Sequence, residues 1–337
     1  MRFVTYAKWA DLPSSAERLF EKGAAQSMFF SRPWFENLTT TTLPSEDELC
    51  LATVLRDRTV LALLPLTING ESAQSFTHIY SSLFSLLWVE QSNRDALVCL
   101  AKGLANLPVR SLKLEPVAIE DHDVRALTEA LEQVGFECHH YTRFYNWFHR
   151  PDRPDFERYL SERPSKLRNT LARKQRKLAR EYDYRIRLFV DNDIDKALAD
   201  YDRVYRASWK ASEVFPKMVE GLVRRFAEQG WLRLAILYVD QVPIAAQIWF
   251  VAYAKASIFK LAYDARWKRF SPGSILTCHL MRHVTDIDQV TEIDFLYGND
   301  AYKSDWMSQR RERSGLVCGL RKRPKQSWLA RLTTRFG

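Results

Sequence analysis

A polar cluster, Gly298-Asn-Asp-Ala-Tyr-Lys-Ser-Asp-Trp306, follows an apolar run that contains Asp294. Asp294, Asp300, Tyr302 and Lys303 put two carboxylates, a phenol and an ammonium in one short stretch. Such groups can accept a proton, donate one and stabilise negative charge. The same residues also suit a capped turn closed by a Lys–Asp pair. Upstream, Ser257-Ile-Phe-Lys-Leu-Ala-Tyr263 reads as a strand ending at Asp264. A basic loop, Arg266-Trp-Lys-Arg269, and the turn Ser271-Pro-Gly-Ser274 follow, and the turn opens a helix from Ile275 to about Thr285. A second strand, Glu292-Ile-Asp-Phe-Leu-Tyr297, leads into the cluster. Strand, Gly-containing turn, helix and strand make a frame for an anion. Free N–H groups at a helix start can hold phosphate, and the helix dipole adds about 0.3–1 kcal/mol per charge.

Other candidates are ambiguous. Gln247 interrupts the apolar run Ile244-Ala-Ala-Gln-Ile-Trp249, where an unpartnered amide costs about 1–3 kcal/mol. A substrate contact and a structural hydrogen bond both remain open for it. Lys260, inside its own strand, reads as a snorkelling edge residue. His279 and His283 stand at helical ligand spacing, but no third ligand accompanies them, so no metal site is expected.

The chain has 337 residues, 46% of them apolar and 27% charged, which suits a globular protein with room for two domains. No apolar run approaches the ~20 residues of a membrane span, and the N-terminus shows no signal-peptide core. Five scattered cysteines point to reduced thiols and a cytoplasmic location. The net charge of +9 is concentrated. Residues 165–187 carry nine Lys/Arg against Glu181 and Asp183, and the stretch from Cys318 onward carries six Lys/Arg and no carboxylate. The remainder is net acidic, so the basicity belongs to two segments.

The chain also repeats itself. Leu51 to Leu64 aligns without gaps on Leu234 to Gln247, an offset of 183 residues, and each reads as a hairpin around a polar turn. The same offset pairs Pro33 with Pro216, each opening a helical segment. The first half keeps the later elements (a helix from Ala96 to Leu104, the strand Ser111–Glu115) but lacks the Pro-Gly turn and the polar cluster. One working site, in the second half, is therefore expected. Arg150-Pro-Asp-Arg-Pro154 marks the boundary. Beyond it lies a basic helix from Lys166 to about Tyr182, with Leu167, Leu171, Leu178 and Tyr182 on one stripe.

Four segments in order, Lys166 to Lys177, Phe259 to Asp264, Ser271-Pro-Gly273 and Asp294 to Lys303, resemble the CelD/BcsL group of GNAT acyltransferases, relatives of the FemAB transferases. The resemblance runs from about Phe156 to Gly319. It implies an α/β fold of tandem GNAT-like domains with mixed central sheets. The division would be a degenerate domain over 1–150, an acyltransferase domain over 151–320 that includes the basic helix 165–182, and a basic tail over 321–337. It further implies acyl-CoA, most simply acetyl-CoA, as co-substrate, with its pyrophosphate at the helix start and contacts from Leu261, Ala262, Arg269, Gly273, Ser274 and the Ile275 N–H. Pro272 removes one donor from that loop. Asp300, Tyr302 and Asp294 become the catalytic candidates, and Gln247, Lys303, Lys166 and Arg168 the substrate-binding ones. The implied acceptor is an amine or hydroxyl of a sugar, nucleotide-sugar or cell-envelope or exopolysaccharide precursor. Two alternatives stand beside this: an aminoacyl-tRNA-dependent transferase of FemAB type, and a non-catalytic basic adaptor. The basic helix and tail would then meet tRNA, an acidic partner or the inner face of the membrane.

Overall fold

The computed structural model describes residues 1–89 and 93–321; the basic tail from residue 322 lies outside the described residues. The first half runs β1 (Arg2–Tyr6), α1 (Glu17–Gln26), α2 (Arg32–Thr41), β2 (Glu48–Arg56), β3 (Thr59–Asn69), β4 (Ser72–Ser75), β5 (Leu87–Trp88), α3 (Arg94–Ala105), β6 (Ser111–Val117), α4 (His122–Gln133) and β7 (Phe136–His149). The second runs α5 (Phe156–Ser161), α6 (Ser165–Glu181), β8 (Tyr184–Phe189), α7 (Ile194–Arg206), α8 (Pro216–Glu228), β9 (Leu232–Val239), β10 (Val242–Ala252), β11 (Lys255–Tyr263), α9 (Pro272–Arg282), β12 (Glu292–Tyr297), α10 (Lys303–Trp306) and β13 (Gln309–Leu320).

Local sequence explains the repeated elements. The hairpins β2–β3 and β9–β10 each turn in two residues, through Asp57-Arg58 and Asp240-Gln241. Asp57 and Asp240, 183 positions apart, both adopt positive φ (55° and 47°), a conformation that Asp tolerates better than most residues. Pro33 and Pro216 both lie in the first turn of their helices, α2 and α8, where a missing N–H costs nothing. Ser31 caps α2 by accepting from the Trp34 N–H at 3.3 Å.

The strands form one mixed 13-stranded sheet in the order β1-β2-β3-β4-β6-β13-β7-β12-β11-β10-β9-β8, with β5 on β3. Its centre is a reciprocal exchange. β7, from the first half, pairs with β12 of the second, while β13, the last strand of the chain, pairs with β6 of the first. β7 and β13 also pair with each other over most of their length. This register sets Cys138 opposite Cys318, Cα–Cα 4.1 Å, as a disulfide. The expectation of five separate thiols fails for this pair because the exchange joins residues 180 apart in sequence.

On one face, α1 and α2 meet α7 and α8 over a core shared by both halves, from Trp34 and Phe35 to Phe226 and Phe250. There α2 and α8 approach so closely that a Cβ on Gly221 would stand 2.1 Å from Asn37 Oδ1. Asn37 Nδ2 donates to the Met218 carbonyl at 3.0 Å. On the other face, α3 and α4 cover the first half and α5, α6 and α9 the second.

Candidate active site

The site begins where two parallel strands part. β11 and β12 pair only through Lys255↔Glu292, Ala256↔Ile293 and Ser257↔Asp294. Beyond that point β11 stays on β10 as far as Tyr263↔Ala245, so its other edge, from Ile258 onward, has no strand partner among the described residues. The departure is built into both strands. In β11 the register slips so that Ile248 opposes Lys260 and Trp249 opposes Ile258, which leaves Phe259 as a bulge. In β12 the pairing with β7 shifts between Asp294 and Tyr297, with Leu296 at φ 53°. A cavity of about 480 Å³ fills the gap. Ile258 to Leu261 and Phe295 to Tyr297 line it, with Tyr302, Lys303 and Lys210 from the second half and Tyr80 and Arg143 from the first.

Its polar groups are interlocked. Lys260 Nζ lies 2.6 Å from Glu213 Oε2 and 3.7 Å over the Tyr80 ring, and the Tyr80 hydroxyl donates to the other Glu213 oxygen. Lys260 is thus a buried ion-pair partner, not a snorkelling edge residue. Burial opposes the Glu213 charge, but hydrogen bonds from Lys260 and Tyr80 outweigh it and hold the carboxyl below its usual range. Burial, then repulsion from Lys260, brings the Lys210 ammonium down to about 8. Burial and then Asp300 push the Tyr302 phenol up to about 12, although the residue as a whole is 44% exposed. At neutral pH Tyr302 therefore carries a transferable proton, and Lys210 is within reach of its neutral form.

The predicted residues divide between this cavity and other places. Tyr302, Lys303 and Leu261 line it. Lys303 is buried, and its ammonium donates to the carbonyls of Phe295 (3.3 Å), Tyr297 and Gly298 (3.4 Å), tying down the end of β12. Gly298 has φ 108°, and a Cβ there would sit 3.2 Å from both Lys303 Nζ and Asp300 Oδ2. Asp300 stands at the exposed rim, 3.6 Å from Lys303. Asp294 points elsewhere: its carboxylate accepts from Asn146, from the Leu296 N–H at 2.6 Å and from Arg311. Gln247 is fully buried, donating to the Gly273 carbonyl (2.9 Å) and Thr277 Oγ1 (2.8 Å) and accepting from Trp249 Nε1 (2.9 Å). Its amide N–H groups fasten β10 to the start of α9, and its oxygen is taken by Trp249 of the same strand. Ala262 is core.

At the far end of β11 the chain makes a 3₁₀ segment, Ala265–Phe270, and enters α9 through Ser271 at φ 52°. The Ile275 N–H is spent on the Ser271 carbonyl at 3.1 Å, whereas Gly273 and Ser274 sit in the first turn, where N–H groups have no intrahelical acceptor. The basic helix lies against this loop. Lys174 donates to the Arg269 carbonyl, Lys177 Nζ sits 5.3 Å over the Phe270 ring, and Arg269, 61% exposed, lies 3.6 Å from Glu181. Lys166 and Arg168, at the other end of α6, do not line the cleft; Arg168 borders a separate recess with Leu171, Gln175 and His279.

Lys210, Glu213, Tyr80 and Arg143 escape a reading of the sequence. Lys210 and Glu213 stand in an irregular connection between α7 and α8, and Tyr80 and Arg143 belong to the other half of the chain. Only the packing of one half on the other assembles them.

Residues 165–304 match the family model described as an acetyltransferase (GNAT) domain. No curated protein matches the chain. Among solved structures, FemX superposes with a TM-score of 0.64 at 11% identity, covering 94% of this chain and 97% of that one. L-PGS from Bacillus licheniformis does so at 0.53 and 10% identity, over 85% and 90%. A tandem GNAT protein from the clavulanic acid biosynthesis pathway gives 0.50 at 12%, over 96% and 99%. At such identities these likenesses concern the fold, which is a mixed-sheet tandem GNAT architecture. With a GNAT acetyltransferase domain set in that architecture, the protein is an acyltransferase enzyme.

Proposed function

We propose that the enzyme moves an acyl group, most simply acetyl, from acyl-CoA to an amine or hydroxyl of a saccharide or cell-envelope precursor, as the CelD/BcsL resemblance suggests. The observation that carries this reading is the parting of β11 and β12 beyond Ser257 and Asp294, with a basic helix start at its far end. Diphosphate would lie at the Gly273 and Ser274 N–H groups beside Arg269 and Lys174. The pantetheine arm would run along the open edge of β11, and an N–H near the Phe259 bulge would polarise the thioester carbonyl. Neutral Lys210 would take the proton of the attacking group as the new bond to carbon forms. The C–S bond then breaks, and the thiolate takes the Tyr302 proton. Asp300, at the rim, would orient the acceptor. The split of the chain into a supporting domain over 1–150 and an acyltransferase domain over 151–320 belongs to the same reading.

A second reading keeps the cleft but changes the donor to an aminoacyl-tRNA. The row of cations on α6 beside the loop favours it, as does the FemX-like fold over nearly the whole chain. Calorimetric titration of acetyl-CoA into wild type and Arg269→Glu separates the two. Arg269 is the better target than Gly273, where a Cβ would press on Tyr263 at 3.1 Å. Micromolar binding weakened about tenfold or more in the variant is expected, since one favourable charge contact becomes repulsive. No acetyl-CoA binding, together with salt-dependent binding of aminoacyl-tRNA, would replace the first reading by the second.

A further inference from the structure

A second, smaller recess of about 110 Å³ lies on the face of β12 that carries Glu292 and Asp294, and it shares Leu296 with the cleft. Four cations line it (Arg150, Lys255, Arg311, Arg313) against these two carboxylates. Three of the cations are accounted for. Arg150 donates to Glu292 at 2.9 Å, Arg311 to Glu292 at 2.8 Å and to Asp294, and Lys255 to the Gln26 carbonyl at 2.6 Å. Arg150 and Arg311 also stack on Phe148, 5.1 and 4.3 Å from its ring centre, which fixes both guanidinium groups.

Arg313 is different. It is 4% exposed, and its Nε is enclosed without a partner. Among the described residues its side chain makes no hydrogen bond, and Glu120, 65% exposed, approaches only to 3.7 Å. Burial and then the Arg311 charge bring the guanidinium down to about 10. Five fixed donors on a cation enclosed in a fold are costly unless something accepts from them.

We infer that this recess is an oxyanion site, in which a phosphate or carboxylate accepts from the Arg313 guanidinium and from the free donors of Arg150. The two excess positive charges match a phosphate dianion. The volume is that of a few water molecules at about 30 Å³ each, enough for one such group and too small for a nucleotide. Because Leu296 walls both spaces, one acceptor could place its anion here and its nucleophile in the cleft. That step rests on the acyltransferase reading; the anion site does not.

The test is thermal unfolding in inorganic phosphate, in acetate, and in chloride at matched ionic strength, for wild type, Arg313→Met, Arg150→Ala and Arg269→Glu. The wild type is expected to gain several degrees with saturation in phosphate, or in both oxyanions. Arg269→Glu keeps the gain, which excludes the α9 loop as its origin. Arg313→Met loses the gain and melts above the wild type in chloride, since an uncompensated buried charge is gone. Arg150→Ala needs at least fivefold more anion. A wild type that does not distinguish oxyanions from chloride overturns the site, and so does a gain that survives Arg313→Met. Should Arg313→Met not fold, unchanged affinity in Arg150→Ala overturns it. If acetyl-CoA fails to bind while the phosphate response persists, the anion site stands and only the donor reading falls.

Discussion

Lys260 and Glu213 offer a direct test of whether the cleft is a dry, assembled site. Their side chains are 10% and 11% exposed, 2.6 Å apart, with Tyr80 against both. Lys260→Met keeps the stem and removes the charge, which leaves Glu213 with the Tyr80 hydroxyl and the Phe215 N–H at 3.3 Å. Removing one partner of a buried pair costs about 3–5 kcal/mol. The two remaining hydrogen bonds bring this case to or just below the bottom of that range, about 2–3 kcal/mol. Glu213→Gln leaves Lys260 over the Tyr80 ring, a contact worth about 1–2 kcal/mol, so the loss there is about 2 kcal/mol. The double variant has no stranded charge and should lose only about 2 kcal/mol in total. The coupling is therefore about 2–3 kcal/mol, measured by urea unfolding followed through tryptophan fluorescence. A coupling below about 0.5 kcal/mol, the range of solvated surface pairs, would refute the reasoning.

Acid should weaken the fold through two histidines. Burial first, then Lys260 for His78 and Arg163 for His149, holds both down at about 4 against an ordinary 6.5. The unfolded chain binds more protons in that window, so stability present above pH 6.5 is lost as pH falls toward 4. Discounted for partial exposure, this is about 1–2 kcal/mol each; urea midpoints that stay flat from pH 7 to 4.5 would contradict it. Gly221→Ala should destabilise by about 1–3 kcal/mol despite the better helix propensity of Ala, because the added methyl meets Asn37. A gain in urea midpoint would show that α2 and α8 separate freely. Gln247→Leu strands the Trp249 indole N–H and frees the first turn of α9. A loss of about 2–4 kcal/mol accompanied by weaker acetyl-CoA binding is expected, and loss of stability alone would detach this amide from the loop.

What the sequence discloses is local. The paired hairpins, the two Asp turn residues, the Pro-led helices and the strand–loop–helix–strand frame rest on short-range rules, and each is present where those rules place it. The polar cluster was legible as a cluster, but not in its division of labour. Asp294 and Tyr302 are eight positions apart, yet the irregular end of β12 sends one to Arg311 and the other to the cleft. Gln247 carried the right signal, a polar group that must find partners, and its partners are Gly273 and Thr277 of α9 and the Trp249 indole of its own strand. The assembly of Tyr80 with Glu213 and of Cys138 with Cys318 depends on strand exchange and on helix packing across the halves, for which no local pattern exists.

The exchange of β7 and β13 makes each half the custodian of a piece of the other. Remove the first half, and β12, which forms one wall of the cleft, becomes a bare edge whose Asp294 loses Asn146. Remove the second, and β6 loses its neighbour β13. Neither half therefore has a complete sheet of its own. The first half, which also brings Tyr80 and Arg143 to the cleft, is thereby held to the second by the strands themselves.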